Sequence, residues 1–388
     1  MRLIESKAEL LPWNPGIEGV YKTIELAGRT AYHSQDKITP DSAKDFVDRM
    51  IKSKHGAALE HGTVYLMVHT IAPEDWDKKI GRHARLTIDD CRDDLRTNPT
   101  YDNDGEENWW AKEAGHKANV MAVKYADNPY SKVKIVLTKH ELNTEGGIIL
   151  TPTEGIPVIE RRAGKVISIF NTILITTNLR VLQENNWLDD LQYLCSPTEF
   201  HEKRYTMRFT CSRAIAQELT RHRVFSFLME SQRYINYSKE RHGSEITFII
   251  PSWIDRNREP NTDAEVAWLD AMKKAESAYL DMINGITRKG IVVMPADEKL
   301  TPQQARDVLP NATKTELIMT GFSSDWRHVM DLRLFGKTGA PHPDMVDLMQ
   351  KAQKAMQEAG IWEDIMCMPS KFEDIFDESN VGTTVGRD

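Results

Sequence analysis

The stretch 221–234 reads RHRVFSFLMESQRY and gathers three arginines, one histidine and two serines. Widened to 201–241, it holds nine Lys/Arg against four Glu, inside a chain of formal net charge −8. Its flanks, FTCSRAIAQEL and ITFIIP, are apolar. Arginines threaded through a core segment need partners, because an unpaired buried guanidinium is costly. Glu218 and Glu230 are partners of one kind, which would make the segment salt-bridged scaffolding. An anionic ligand is a partner of the other kind, since the planar fork of arginine matches phosphate oxygens in pairs. Arg221 and Arg223 stand two apart and point to different sides. That suits a large ligand, or two ligands that meet. Charge spacing alone leaves both readings open.

The elements that must position these residues follow from pattern. Helical spacing runs over 17–33 and 40–54, with Pro40 and Asp41 suited to a helix start. TVYLMVHTI (63–71) is β-branched and apolar and predicts a strand. From about 73 to 160 the texture changes to Asp- and Asn-rich pieces, a Gly/Pro/Thr stretch and short strand-like runs. This predicts an insertion or small appended module. Trp109-Trp110 fits a mini-core within it, and Asp102–Gly105 only hints at a calcium loop, its glycine being misplaced. Residues 167–186 return to strand, then helix. RYTMRFTC (204–211) alternates as a strand, and SRAIAQELTRH (212–222) reads as a helix capped by Ser212. EITFIIP is a further strand stopped by Pro251. Helices are expected over 263–289, from Pro302 until Pro310, and near 343–359. The tail 372–388 is acidic and expected to fray.

Composition excludes several classes. At 388 residues, 40% hydrophobic and 28% charged, the chain reads as soluble and globular. It has no run of eighteen apolar residues and no apolar leader at its N-terminus, so a cytoplasmic location is expected. Four cysteines lie far apart with no CxxC pair, which argues against a disulfide framework or zinc knuckle. HExxH is absent, and HxxEH would need a histidine where Ala57 stands, so no metal is expected. A pI near 5.9 argues against general nucleic-acid binding.

Arg221-His222-Arg223 followed by Ser231, with Ser226 also in register, resembles the RHRx7S motif of the flavin-dependent thymidylate synthases. Other segments fall in that family's order. GRTAYHS (28–34) is similar to ARxxY, and KHGAALEHGTVYLMV (54–68) is similar to HxxPFEHxxFTF, keeping His55, Glu60 and His61. ARDVLP (305–310) matches ARxVLP, and DWRHVMDLR (325–333) matches WxHFxxLR. The resemblance covers roughly 17–72 and 204–350. Departures fall at Leu228 and Met229, Ala57 and Ala58, GAPHPDM (339–345), Phe322 and Ser324.

The resemblance implies an α/β (α+β) fold, with a central mixed or antiparallel sheet flanked by helices. One domain would span 1–388, interrupted by the insertion at about 73–160, or to 203. It implies FAD, a homotetramer with shared active sites, and conversion of dUMP to dTMP. 5,10-Methylenetetrahydrofolate would supply the carbon and NADPH the reducing equivalents. Arg221, His222, Arg223, His55 and His328 would hold FAD. Glu218, Ser231, Arg233, Arg306 and Arg333 would hold the nucleotide, with Arg333 and Ser231 the catalytic pair and Arg333 against the pyrimidine. No cysteine carries a nucleophile pattern, in keeping with that chemistry. Two alternatives stay open: a relative that stops at hydroxymethyl or uses dCMP, and a catalytically silent nucleotide-binding homologue.

Overall fold

The structure is a computed structural model that describes residues 1–71, 87–97, 109–143, 158–162, 165–239, 245–255, 262–288, 291–294 and 299–372. The chain opens with β1 (Arg2–Ile4), β2 (Lys7–Leu10), α1 (Gly16–Ala31), α2 (Ser42–Lys52) and α3 (Gly56–Leu59). Next come β3 (Thr63–Ile71), α4 (Ile88–Thr97), α5 (Trp109–Ala126), β4 (Lys132–Asn143), β5 (Val158–Arg162), β6 (Lys165–Asn178) and α6 (Leu179–Glu184). Then follow β7 (Arg204–Ser212), α7 (Arg213–Leu219), β8 (Ser226–Met229), β9 (Thr247–Ile249), α8 (Asp263–Asn284), β10 (Ile286–Arg288) and β11 (Ile291–Met294). The chain continues through α9 (Pro302–Ala305), β12 (Lys314–Phe322), α10 (Ser323–Arg333), α11 (Pro343–Glu358) and α12 (Trp362–Met366). This is the mixed α/β class expected from sequence, and its four-stranded sheets are antiparallel throughout.

Two compact units emerge: Met1–Trp13 with Tyr21–His61 and Arg204–Asp388, and Asn14–Val20 with Gly62–Lys203. The first is built on a sheet of order β2-β7-β12-β8. β7 and β12 pair in unbroken register from Arg204↔Phe322 to Ser212↔Lys314. Met207, Phe209, Leu317 and Met319 from these strands are fully buried against Trp326, Val329 and Met330 of α10 and Met345, Leu348 and Met349 of α11. Ser212 ends β7 and caps α7 by accepting from the Ile215 amide. A second cluster gathers Ile235, Tyr237, Ile246 and Phe248 against Met272, Tyr279 and Ile283 of α8. That helix stops at Asn284, short of the expected 289, because Gly285 turns to φ 86° and β10 begins.

The second unit carries the antiparallel order β3-β6-β4, with β5 also paired to β6. Ile173, Leu174 and Ile175 of β6 are all buried, so both faces of this central strand are covered. α5 contributes Ala118, Met121, Ala122 and Tyr125. Its Tyr125 hydroxyl donates to Asp190 at 2.8 Å, and Lys124 pairs with the same carboxylate. The side chains of Trp109 and Trp110, and the Asp102–Gly105 segment, lie outside the described residues. Among the described residues no helix is long and apolar enough to cross a membrane.

Candidate active site

Four of the residues singled out from sequence meet where α7 runs into the RHR turn beside α10. The turn is wound tightly. The amides of Arg221 and His222 donate to the Glu218 and Leu219 carbonyls, and that of Phe225 to the His222 carbonyl. It is pinned by Phe225, whose ring lies so close to Gly321 that a Cβ there would sit 2.3 Å away. Glycine is therefore required at 321. The edge of Phe225 also packs on Trp326, centroids 4.8 Å apart. With the turn held, Arg221 and Arg223 face solvent while His222 turns inward.

Arg333, the last residue of α10, closes on that histidine. Its Nε donates to His222 Nε2 at 3.1 Å, and its Nη1 donates to Glu218 Oε2 at 3.3 Å. A second arm reaches the Glu218 carbonyl at 3.5 Å. Because Nε2 accepts, the proton of a neutral His222 belongs on Nδ1. Burial, then the Arg333 cation, then His328 push the His222 pKa down to about 4. The ring is neutral at physiological pH. His328, five residues before Arg333 in α10, packs against His222 with ring centroids 6.5 Å apart and planes 78° apart. Its Nδ1 is buried and makes no hydrogen bond. Its pKa is lowered by burial and then by Lys371, with Asp331 opposing.

Ser231 and Arg233 belong to a different corner. The Glu230 amide donates to the Glu316 carbonyl of β12, and the Ser231 amide to the Ala31 carbonyl at the end of α1. Beneath them the Glu230 carboxylate is buried, 2% exposed, and accepts from Lys314 Nζ at 2.8 Å and the Glu316 amide at 3.2 Å. The Tyr237 hydroxyl adds a third bond to it at 3.3 Å. Burial opposes the charge on Lys314, yet Glu230 and Glu316 hold its pKa above the ordinary value. Upstream in α1, Arg29 pairs with Glu25 at 2.7 Å, both buried. Outside this clamp Arg233 is exposed, its guanidinium 5.5 Å from the Tyr234 ring, which in turn meets Tyr32 at 5.8 Å. Among the described residues no hydrogen bond or ion pair joins Arg233 to the Arg333 cluster.

The remaining candidates stand apart. His55 is exposed at the N-terminus of α3, without a capping bond from its side chain. Arg306 is half-buried where α9 ends and forms no ion pair with a described residue. The site list drawn from sequence omits a buried pair nearby. Arg204 donates to the Glu60 carbonyl at 3.1 Å and to Ser226 Oγ at 3.2 Å. Burial, then Arg204, drives His61 down to about 3, and its Nδ1 meets Thr320 Oγ1 at 2.7 Å. The kept Glu60-His61 pair signalled this position. Nothing signalled Arg204, whose burial follows from strand pairing 144 residues away from its acceptor. Among the described residues no cluster of His, Cys, Asp and Glu forms a metal site.

Comparison with known proteins matches this segment. Residues 172–359 fit the family model described as thymidylate synthase complementing protein. That stretch, just under half of the chain, is similar to this family, and the relatives it matches are named flavin-dependent thymidylate synthases. The Corynebacterium glutamicum flavin-dependent thymidylate synthase is 27% identical over 180 residues, covering 45% of this chain and 64% of that protein. The Pyrococcus furiosus enzyme of the same name is 34% identical over 124 residues, covering 32% of this chain and 43% of that one. The chain thus spans under two thirds of these relatives. Among solved structures, the Helicobacter pylori thymidylate synthase X with FAD and dUMP is 17% identical, at a TM-score of 0.28. It covers 42% of this chain and 73% of that one. The UMP/dUMP methylase PolB from Streptomyces cacaoi is 18% identical at 0.31, covering 42% and 69%.

Proposed function

We propose that this protein is a flavin-dependent thymidylate synthase that methylates dUMP to dTMP, with 5,10-methylenetetrahydrofolate as carbon donor and NADPH as reductant. The observation that carries the reading is the Arg333 fork held between neutral His222 and Glu218, beside the exposed Arg221 and Arg223. The residues present fit FAD. Arg221 and Arg223 offer cations for a diphosphate, and the unpartnered Nδ1 of His328 offers a buried polar contact. His222 lies beside them, and His55, which stands apart on α3, joins the set by the resemblance alone. Bound there, FAD would supply two-electron reducing chemistry.

The chain's own residues do the positioning. Ser231, Arg233 and Arg306 bind the nucleotide, with Arg233 free to fork onto a phosphate. Arg333 stabilises negative charge as it develops on the pyrimidine, a role that needs preorganisation more than binding strength. Glu218 and His222 hold its guanidinium plane and keep a competing proton off the fork. Three of the four thiols lend support, since burial pushes Cys91 and Cys195 up to about 11 and Cys211 up to about 12, while Cys367 is exposed. Such groups are not thiolates at neutral pH, in keeping with a mechanism without a protein nucleophile. The outward cations Arg221, Arg223 and Arg233 also suit a homotetramer in which one copy completes the site of another. The test is a flavin spectrum of the purified protein before and after NADPH and dUMP, with product identified by mass. A colourless protein, or a hydroxymethyl product, overturns the assignment.

A further inference from the structure

The chain continues past residue 359, where the family match stops, and its next described residues fold back onto α10. Arg327 donates to the Met366 carbonyl. Ser370 is 2% exposed, and its hydroxyl donates to the fully buried Asp331 at 2.5 Å. The same hydroxyl accepts from Lys337 Nζ at 3.0 Å and from the Phe372 amide at 3.3 Å. Asp331 in turn pairs with Arg327 and Lys337. This anchor lands Phe372 on His328, ring centroids 5.5 Å apart and planes 20° from parallel. A stacked aromatic contact of this kind favours the closed arrangement by roughly fivefold to tenfold. It is strong enough to persist and weak enough to exchange.

We propose that Phe372 is a specificity-determining residue of the site: the strap 366–372 covers His328, and a planar heterocyclic ligand seats there only by displacing the Phe372 ring. The proposal rests on the reading above in placing His328 among the FAD contacts. Geometry favours displacement over a permanent wall. Phe372 stacks on a face of His328, while His222 packs against that ring at a steep angle, so a flat molecule that stacks on the same face must take the place of Phe372. The anchor is buried at Asp331, Arg327 and Ser370, whereas Phe372 is only half-buried. A ring that binds only the open form has its apparent affinity reduced by the fraction of molecules that are open. A strap closed roughly nine tenths of the time therefore weakens binding about tenfold. That reduction falls alike on every ligand that must uncover His328, and on none that binds without doing so.

The experiment is a fluorescence titration of FAD into the full chain, as wild type, Phe372→Ala, Phe372→Trp and Ser370→Ala. We expect Phe372→Ala to tighten FAD binding by about fivefold to tenfold. Ser370→Ala, which frees the strap without touching His328, should tighten it less. Phe372→Trp, which keeps a stacking ring, should stay near or below wild-type affinity. In parallel, the ring-current shift that Phe372 imposes on the His328 proton resonances should vanish in Phe372→Ala and on adding FAD to wild type. If wild type binds FAD and Phe372→Ala binds it equally or more weakly, the strap is a fixed wall and the proposal is wrong. If neither wild type nor any variant binds FAD, the functional reading fails and takes this proposal with it.

Discussion

The RHRx7S segment builds two corners that differ in how their arginines are satisfied. At the first, Arg333 is engaged by His222 and Glu218 within its own unit, and only 23% of its side chain is exposed. At the second, Arg233 rests on one exposed tyrosine, while the charge beneath it is locked in the Glu230–Lys314–Glu316 network. One corner therefore holds an arginine in a fixed plane, and the other holds the loop but leaves its arginine free. A preorganised donor acts on a transition state, because it need not reorganise when charge develops. A mobile exposed one contributes mainly to binding. The two arginines should fail in different ways.

The largest effect is expected from cutting the second clamp at its root. Glu230→Ala leaves Lys314 with Glu316 as its one remaining carboxylate and takes the acceptor from the Tyr237 hydroxyl; losing one partner of a buried charge network costs up to about 3–5 kcal/mol. Urea unfolding should show that loss. If the midpoint barely moves, the network is not what holds the corner. Next comes Arg333→Lys, which keeps the charge but cannot reach His222 and Glu218 in one plane. Flavin reoxidation with dUMP and folate present should slow at least about 100-fold by stopped flow, the scale for one preorganised donor. Binding of dUMP should stay within about tenfold, or roughly 1.4 kcal/mol. Normal turnover by the lysine variant would make Arg333 a structural helix-end residue.

Arg233→Ala should show the opposite division. Nucleotide binding by calorimetry should weaken by about 1.5–3 kcal/mol, the range for a charged hydrogen bond, with flavin content unchanged. Loss of flavin with intact dUMP binding would show that the corners have been assigned the wrong way round. The smallest effect, per histidine and per pH unit, is a pH dependence of stability. His61 and His222 stay neutral in the fold down to about 3 and about 4, whereas the unfolded chain protonates both below an ordinary value of 6.5. The unfolded state then binds more protons, so stability is complete above that value. Each histidine removes about 1.4 kcal/mol per pH unit as pH falls from there towards its folded pKa. Urea midpoints compared with His61→Gln should show a shallower acid slope in the variant. Equal slopes would mean that His61 is not buried in solution.

Local pattern made much of this legible. β7 and the Ser212 cap of α7 stand where alternation and a capping residue put them, and α11 runs Pro343–Glu358 against an expected 343–359. These depend on neighbours in sequence, through strand alternation, helix periodicity and capping. The end of α8 was not legible, since Gly285 could sit in a helix pattern or stop one. Nor was α12, five residues long and set by packing of Ile365 into the core.

For the site, charge spacing marked the 221–234 cluster and left its reading open, and the family resemblance named Arg221–Arg223, Ser231, Arg233, His328 and Arg333. Which of them meet was decided by tertiary structure alone. His222 and Arg333 are 111 residues apart; β7 and β12 pair antiparallel, so α7 and α10 leave opposite ends of that pair, at Ser212 and Phe322, and it is their C-terminal ends that meet. Ser231 and Arg233, only nine and eleven positions beyond His222, are carried away from it by β8. Arg204 beneath Ser226 and Phe372 on His328 carry no motif. Their places depend on burial and long-range pairing, which composition and spacing do not encode.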